Sequence, residues 1–466
     1  MSKPLSITDL PARCFQGVAP TVIATCGADG IPNVTYTSQM YLLDDGRVAL
    51  SCQFFNKTKQ NVLATKLACL QVYDPVTFEA YRVVLRYHHD ETEGPFFESM
   101  SRRIDAIATH TGMAGVFKLR SADVFDVVSV EKTENFMHTI EDTSSPLEPT
   151  QLKWKGELYA LQYVSKAMRL PRDVGSLYTA TLEALEHAVG FEHSMILLPD
   201  ESGKRLYAIA ARGYGESGIG AEVGFGEGLI GTVARERCSL RVSGVGAELR
   251  YGRAIRTSVQ RSTGGRDLRP EIPLPGLVDA QSQLAIPLVA DDELVGVLAL
   301  ESPRPAAFEP WHEAFLEIIA NQIATAIDAF ARREKDDDED DDEPVAAAQS
   351  PSQAPVECTR TLKLRFFKSD DCVFNDDEYL VRNLPGRILW KLLGEHVASG
   401  RTEFTNRELR LDGSLGLPAL RDNLESRLVL LRKRLEQKCP EIRLVPVARG
   451  RFRLELECPL DLAESP

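Results

Sequence analysis

The run DDDEDDDE at 336–343, followed by PVAAAQSPSQAP at 344–355, constrains the fold more than any other feature of the chain. Eight adjacent carboxylates repel one another, and the Pro, Ala, Ser and Gln behind them cannot build an apolar core, so a disordered tether is expected. The tail beyond it must then fold alone, and its charge is distinct. Residues 360–457 hold 20 Lys and Arg against 15 Asp and Glu, a balance of +5 in a chain whose formal net charge is -14.

A length of 466 residues points to about three domains, and the turn-rich DTSSPLEPTQL at 142–152 marks a second boundary. The expected divisions are 1–140, 150–334, a linker at 335–357, and 358–460. No apolar run reaches the ~18 residues needed to span a bilayer. The opening MSKPLSITDLPARC lacks the apolar core of a signal peptide, so a cytoplasmic protein is expected. Nine cysteines without one CxxC pair argue against a zinc or iron-sulfur cassette and against a secreted disulfide framework. Those in the first quarter read as buried free thiols. His88 and His89 are adjacent on an expected strand, where alternation sends them to opposite faces, so no metal ligand set is assigned.

Residues 1–130 read as antiparallel hairpins: TVIATC, the turn Gly27-Ala28-Asp29-Gly30, PNVTYTSQMYLL, the turn Asp44-Asp45-Gly46, then RVALSCQFF. With NKTKQN and MAGVFKLRSADVFDV, these blocks resemble the pyridoxamine 5'-phosphate oxidase-like split-barrel family. The resemblance implies a six-stranded barrel, commonly dimeric, with FMN at the dimer interface. It carries cofactor binding to Thr35, Tyr36, Ser51, Lys57, Thr58, Lys59 and Asn61, where ammonium, hydroxyl and amide groups suit a phosphate. A solvated lysine-rich loop is the alternative for NKTKQN. The substrate-phosphate contacts of the true oxidases have no match, so no catalytic residue is assigned.

Residues 155–333 resemble a GAF domain through FEHSMILLPDESGKRLYAIAARG, GFGEGLIGTVARER and SQLAIPLVADDELVGVLALES with its closing helix from about Pro310 to Arg333. The resemblance implies an antiparallel sheet with helices on one face and a ligand pocket on the other. Glycines turning into a helix leave amide groups at its N-terminus, which suits an anion, so Gly226, Gly228, Leu229 and Ile230 are candidate ligand contacts. The same loop without a ligand is the alternative, and the ligand is not identified. The arginine-rich insert at 242–281 reads as a lid, an arm to DNA or to the acidic run, or a flexible insert.

The tail opens with strands, RTLKLRFFKSDDCVFNDDEYLV. A helix with Leu389, Leu392, Leu393 and Val397 on its apolar face follows, and a capping box from Thr405 to Glu408 starts the next. A long helix from about Leu417 to Lys438 precedes a hairpin turning at Arg449-Gly450. At 100° per residue Leu424, Leu428, Leu431 and Leu435 fall within about 60° of one another and form a buried stripe. Arg427, Arg432, Lys433 and Arg434 lie off it, and period two sets Arg449, Arg451 and Arg453 opposite Phe452 and Leu454.

FTNRELR, LESRLVLLRKRL and RGRFRLEL resemble the winged-helix effector domain of response regulators, which implies DNA binding by those seven basic residues. Val429 and Leu430, taken as exposed, keep a protein-binding face open as the alternative. The fold class expected is multidomain α+β: a β split barrel, a GAF antiparallel sheet with helices, and a winged helix. The function expected is a homodimeric sensor coupling a small-molecule or redox signal to DNA. An FMN-dependent oxidoreductase and a non-catalytic signalling scaffold are the alternatives.

Overall fold

The computed structural model describes residues 5–15, 17, 21–37, 39–53, 57–133, 150–171, 173–200, 202–214, 218–263, 268, 276–340, 361–368, 371–376, 378–415, 424–448 and 450–465. The expected hairpins form an antiparallel sheet of seven strands: β1 (Thr21–Cys26), β2 (Pro32–Thr37), β3 (Met40–Leu42), β4 (Val48–Cys52), β5 (Leu67–Tyr73), β6 (Ala80–Glu91) and β7 (Ser121–Thr133). Their order is β2-β1-β5-β6-β7-β4-β3. Helix α1 (Lys57–Thr65) follows β4, and α2 (Pro95–His110) leaves the sheet after β6.

The second sheet carries helices on both faces. Its elements are α3 (Thr150–Ala167), α4 (Val174–Val189), β8 (His193–Pro199), β9 (Arg205–Arg212), β10 (Glu222–Gly224), α5 (Gly228–Glu236), β11 (Leu240–Val242), α6 (Val245–Thr263), β12 (Ser282–Ala290), β13 (Glu293–Ser302) and α7 (Pro310–Asp340). The strand order is β10-β9-β8-β13-β12-β11, antiparallel throughout. Asp173 starts α4 by accepting the Ser176 amide at 2.8 Å, and Gly190 ends it at φ +77°, a left-handed position that suits a residue without Cβ. Leu182, Leu185, Ile319 and Ile323 pack α4 and α7 on one face, while Leu229, Val233 and Leu249 pack α5 and α6 on the other. Among the described residues no helix is long and apolar enough to cross a membrane.

The tail builds two small sheets around three helices: β14 (Leu362–Phe367), β15 (Cys372–Asn375), β16 (Glu378–Val381), α8 (Asn383–Ser399), β17 (Glu403–Thr405), α9 (Asn406–Leu411), α10 (Leu424–Lys438), β18 (Ile442–Ala448), β19 (Arg451–Leu456) and β20 (Leu460–Ser465). Thr405 and Glu408 form the expected capping box, with side chain to backbone bonds of 3.2 and 3.0 Å. Leu424, Leu428, Leu431 and Leu435 are all at most 1% exposed. Each such leucine contributes about 2 kcal/mol of burial, which explains why α10 keeps this face inward.

Several expectations change here. Helix α7 runs on to Asp340, so the first acidic residues continue a helix; 341–360 lie outside the described residues, as does Arg449. Val397 is 60% exposed and leaves the apolar face of α8. Within the insert at 242–281, helix α6 packs Tyr251 and Ile255 against the cluster of Ala49, Ile104 and Val124; 264–267 and 269–275 lie outside the described residues. A register slip between Tyr87 and His89 cancels the alternation expected there, and the two histidine Nδ1 atoms lie 2.6 Å apart. Among the described residues no cluster of three or more ligating side chains could hold a metal. In the first quarter Cys14 is buried but Cys26 is exposed, and Cys458 is disulfide-bonded.

Candidate functional site

The candidate phosphate residues, on β2, β4 and helix α1, are in part engaged by the protein itself. Lys59 is 5% exposed, and its Nζ donates to Asp123 Oδ1 at 2.7 Å and to Asp90 Oδ1 at 2.8 Å. Burial works to lower its ammonium, but the two carboxylates outweigh that and hold the proton. Burial in turn pushes the Asp123 carboxyl up. Thr58 Oγ1 accepts from Asn33, and the Asn61 side chain donates to Thr25 Oγ1 at 3.2 Å. Lys57 and Tyr36 are exposed, and Thr35 and Ser51 are half-buried. The structure thus draws Lys59, Thr58 and Asn61 into internal bonds, and Lys59 meets two carboxylates where a phosphate was expected.

The glycine loop before α5 is also closed. Gly228 N donates to Thr109 Oγ1 of α2 at 2.8 Å, and a Cβ at Gly228 would meet the His110 ring at 2.3 Å. Glu227 accepts from Gly224 N at 2.9 Å. Gly226 lies against the Arg235 side chain. Leu229 and Ile230, at 2% and 3% exposure, are core residues. The helix end expected to receive a ligand is covered by the neighbouring unit, because α2 packs directly on α5. Beside it, Arg103 of α2 and Glu248 of α6 form a buried ion pair. Burial pushes the Glu248 carboxyl up, against the pull of Arg103. Tyr251 packs on Phe117, ring centroids 6.0 Å apart, and Arg256 donates to the Thr111 carbonyl at 2.8 Å.

On that same face of the second sheet lies a polar group no motif had marked. Glu301 on β13 is 3% exposed; Gln283 Nε2 donates to its Oε1 at 2.8 Å, and Leu277 N donates to its Oε2 at 2.5 Å. Tyr214 sits against the same carboxylate, which burial pushes up above its ordinary value. His193 meets Tyr214 edge-on at 5.6 Å. The segment from Gly276 closes over this group, a Cβ there coming within 2.2 Å of Glu301 Oε2. Such a carboxylate can take N–H donors from a ligand when its own amide partners move. The signal in sequence was one acidic residue ending the apolar run LVGVLALE.

A family model described as "GAF domain" matches residues 173–327. Residues 173–327 are a GAF domain. This unit indicates small-molecule sensing or signalling. The chain is similar to the GAF domain from an Acinetobacter phosphoenolpyruvate-protein phosphotransferase, at 17% identity over 39% of this chain and 97% of that one, TM-score 0.30. It is similar to free methionine-R-sulfoxide reductase from Neisseria meningitidis, at 18% identity over 42% and 99%, TM-score 0.31. An FMN-binding protein from Syntrophomonas wolfei is similar at 20% identity over 26% and 84%, TM-score 0.22. No curated protein matches the chain.

The tail's helix α10 leans on the GAF domain. Arg427, expected on an exposed face, is 5% exposed; its guanidinium lies 4.3 Å from the Tyr207 ring centroid and donates to the Pro199 carbonyl at 2.8 Å. Val429 and Leu430, expected in solvent, are each 7% exposed and join the apolar cluster of α4 and β9. Gly175 of α4 faces Val429 without a side chain between them. Arg382, ahead of α8, pairs with Glu222 of β10, Nε to Oε1 2.6 Å. The remaining basic residues divide. Arg432 pairs with Glu425 at 3.3 Å, Lys433 is half-buried with its ammonium lowered by burial, and Arg434 faces Gly220. On β19, Arg453 pairs with Glu403 at 2.9 Å, and Arg451 and Arg453 do alternate with buried Phe452 and Leu454.

Proposed function

We propose that the chain is a sensor and transcription regulator in which the GAF domain controls whether a winged-helix tail meets DNA. The observation that carries this reading is the docking of α10 through Arg427, Val429 and Leu430 onto the GAF domain. A helix so held presents fewer cations to phosphates than its sequence contains, and DNA affinity rests largely on such cations. A ligand that reshapes the sheet around Glu301 shifts the balance between docked and released α10 only by its differential affinity for the two states. The element order from β14 to β19, with three helices before a basic hairpin, supports the winged-helix reading.

The N-terminal unit is proposed as a split barrel that joins two copies, supported by exposed Val34 and Tyr36 on β2. FMN remains a proposed ligand of that unit, although the pairing of Lys59 with two carboxylates leaves less charge for a phosphate. The flavin oxidoreductase alternative draws no support from the candidate phosphate residues for the same reason. A cytoplasmic location belongs to the regulator reading. Genome-wide pull-down of DNA with the full chain tests it: enrichment of discrete sites is expected, and no enrichment together with no salt-dependent duplex binding would overturn it.

A further inference from the structure

Helix α3, which leads into the GAF domain, is apolar on two sides. Its inner side packs against α4 and α7; Val164 is fully buried there, and Leu161 and Ala167 pack against the same cluster. Its outer side carries Leu158, Tyr159 and Tyr163, which are 64%, 69% and 53% exposed. At 100° per residue these three fall within an arc of about 140°. From Leu158 to Tyr163 the sequence LYALQY has no charged residue. Three large side chains, each more than half exposed within six residues, make a patch, whereas the same residues scattered singly over a surface would be ordinary. A helix apolar on both sides is expected to be covered on both.

The other units of the chain dock elsewhere on the GAF domain. Helix α2 of the first unit packs on α5 and α6, and α10 of the tail packs on α4 and β9. On α7, the helix that α3 packs against, Ile318 is 46% exposed as well. These four side chains hold roughly 400–500 Å2 of accessible surface on one copy. Doubled by a two-fold axis, with Gln162 and Lys166 at the rim, the patch reaches the ~1,000 Å2 at which a specific interface begins.

We infer that the outer face of α3 is an interface with a second copy of this chain, in which α3 packs on the same helix of its partner. A two-fold contact needs a self-complementary patch, and an uncharged strip sets no like charges against each other at its centre. Leu158 with Gln162, and Tyr159 with Tyr163, stand four residues apart and form ridges that fit the grooves of an identical helix. The surface is separate from β2 of the first unit, and its occupancy is read at α3 alone.

The test is photo-crosslinking of the full chain with p-benzoylphenylalanine in place of Tyr159, which keeps an aromatic ring there and reacts with whatever touches it. An equal mixture of unlabelled and isotope-labelled protein is irradiated over a concentration series up to about 50 μM, so that crosslinks between copies carry both labels. Mixed-label crosslinks from position 159 to α3 or α7 of the second copy are expected. Tyr163→Lys should raise the concentration at half-maximal yield at least about tenfold. Crosslinks only within one chain, crosslinks only to other surfaces of the second copy, no crosslinks, or an unchanged midpoint in Tyr163→Lys overturn the interface. Should Tyr163→Lys alter the circular dichroism spectrum, Leu158→Gln takes its place: a raised midpoint supports the interface and an unchanged one overturns it.

Discussion

The guanidinium of Arg427 lies 4.3 Å from the centroid of the Tyr207 ring, although 220 residues separate the two in the chain. A cation over an aromatic face in a desolvated contact is worth about 1–2 kcal/mol. Tyr207→Leu keeps the strand apolar and removes that attraction. Opening of α10 should rise roughly 5 to 30-fold, read as faster amide hydrogen exchange across Leu424–Lys438. Unchanged exchange would show that the contact does not hold the helix.

The buried pair of Arg103 and Glu248 links α2 to α6 and so couples the first sheet to the GAF domain. Arg103→Met strands a buried carboxylate and should cost about 3–5 kcal/mol. Arg103→Met with Glu248→Leu should recover most of that loss, because the charge left behind is removed. Denaturant midpoints of both single variants and the double variant measure the coupling. An additive double variant would contradict it.

Glu301 sets a pH dependence with a definite sign. Burial raises its carboxyl above the ordinary value of 4.5, so the folded chain holds this proton more tightly than the unfolded one. Its contribution is complete below pH 4.5 and is lost as pH rises through the raised value. Glu301→Gln should remove that slope and raise the melting temperature at neutral pH, with Gln283 turning its amide to match. Melting curves from pH 4 to pH 8, roughly the span of such shifts, check this; parallel curves for wild type and variant would contradict it.

What the sequence discloses is local. The leucine stripe of α10, the Thr405–Glu408 capping box and the D-G turns of the first sheet are periodicities or short motifs, and the structure places them as read. What it hides is contact at long separation. Nothing near Lys59 announces Asp90 and Asp123, and nothing near Gly228 announces Thr109. Arg427 and Val429 read as exposed, the one basic and the other apolar, because the surface covering them, Tyr207 and Gly175, lies in the GAF domain. Glu301 carried a weak signal, a lone acid closing an apolar strand, whose meaning depends on partners at 214, 277 and 283.

Gly175 offers the most direct test of the account. An alanine there places Cβ 2.7 Å from one Val429 methyl carbon and 3.1 Å from the other, while adding about 1 kcal/mol of helix propensity to α4. The GAF domain should keep its fold as α10 is pushed off. Duplex binding by fluorescence anisotropy, across a series of salt concentrations, should then be about tenfold tighter for Gly175→Ala than for wild type. The logarithm of affinity should fall linearly with that of salt for both. Equal affinity of the two proteins, or no duplex binding by either at low salt, would contradict control of the tail by the GAF domain.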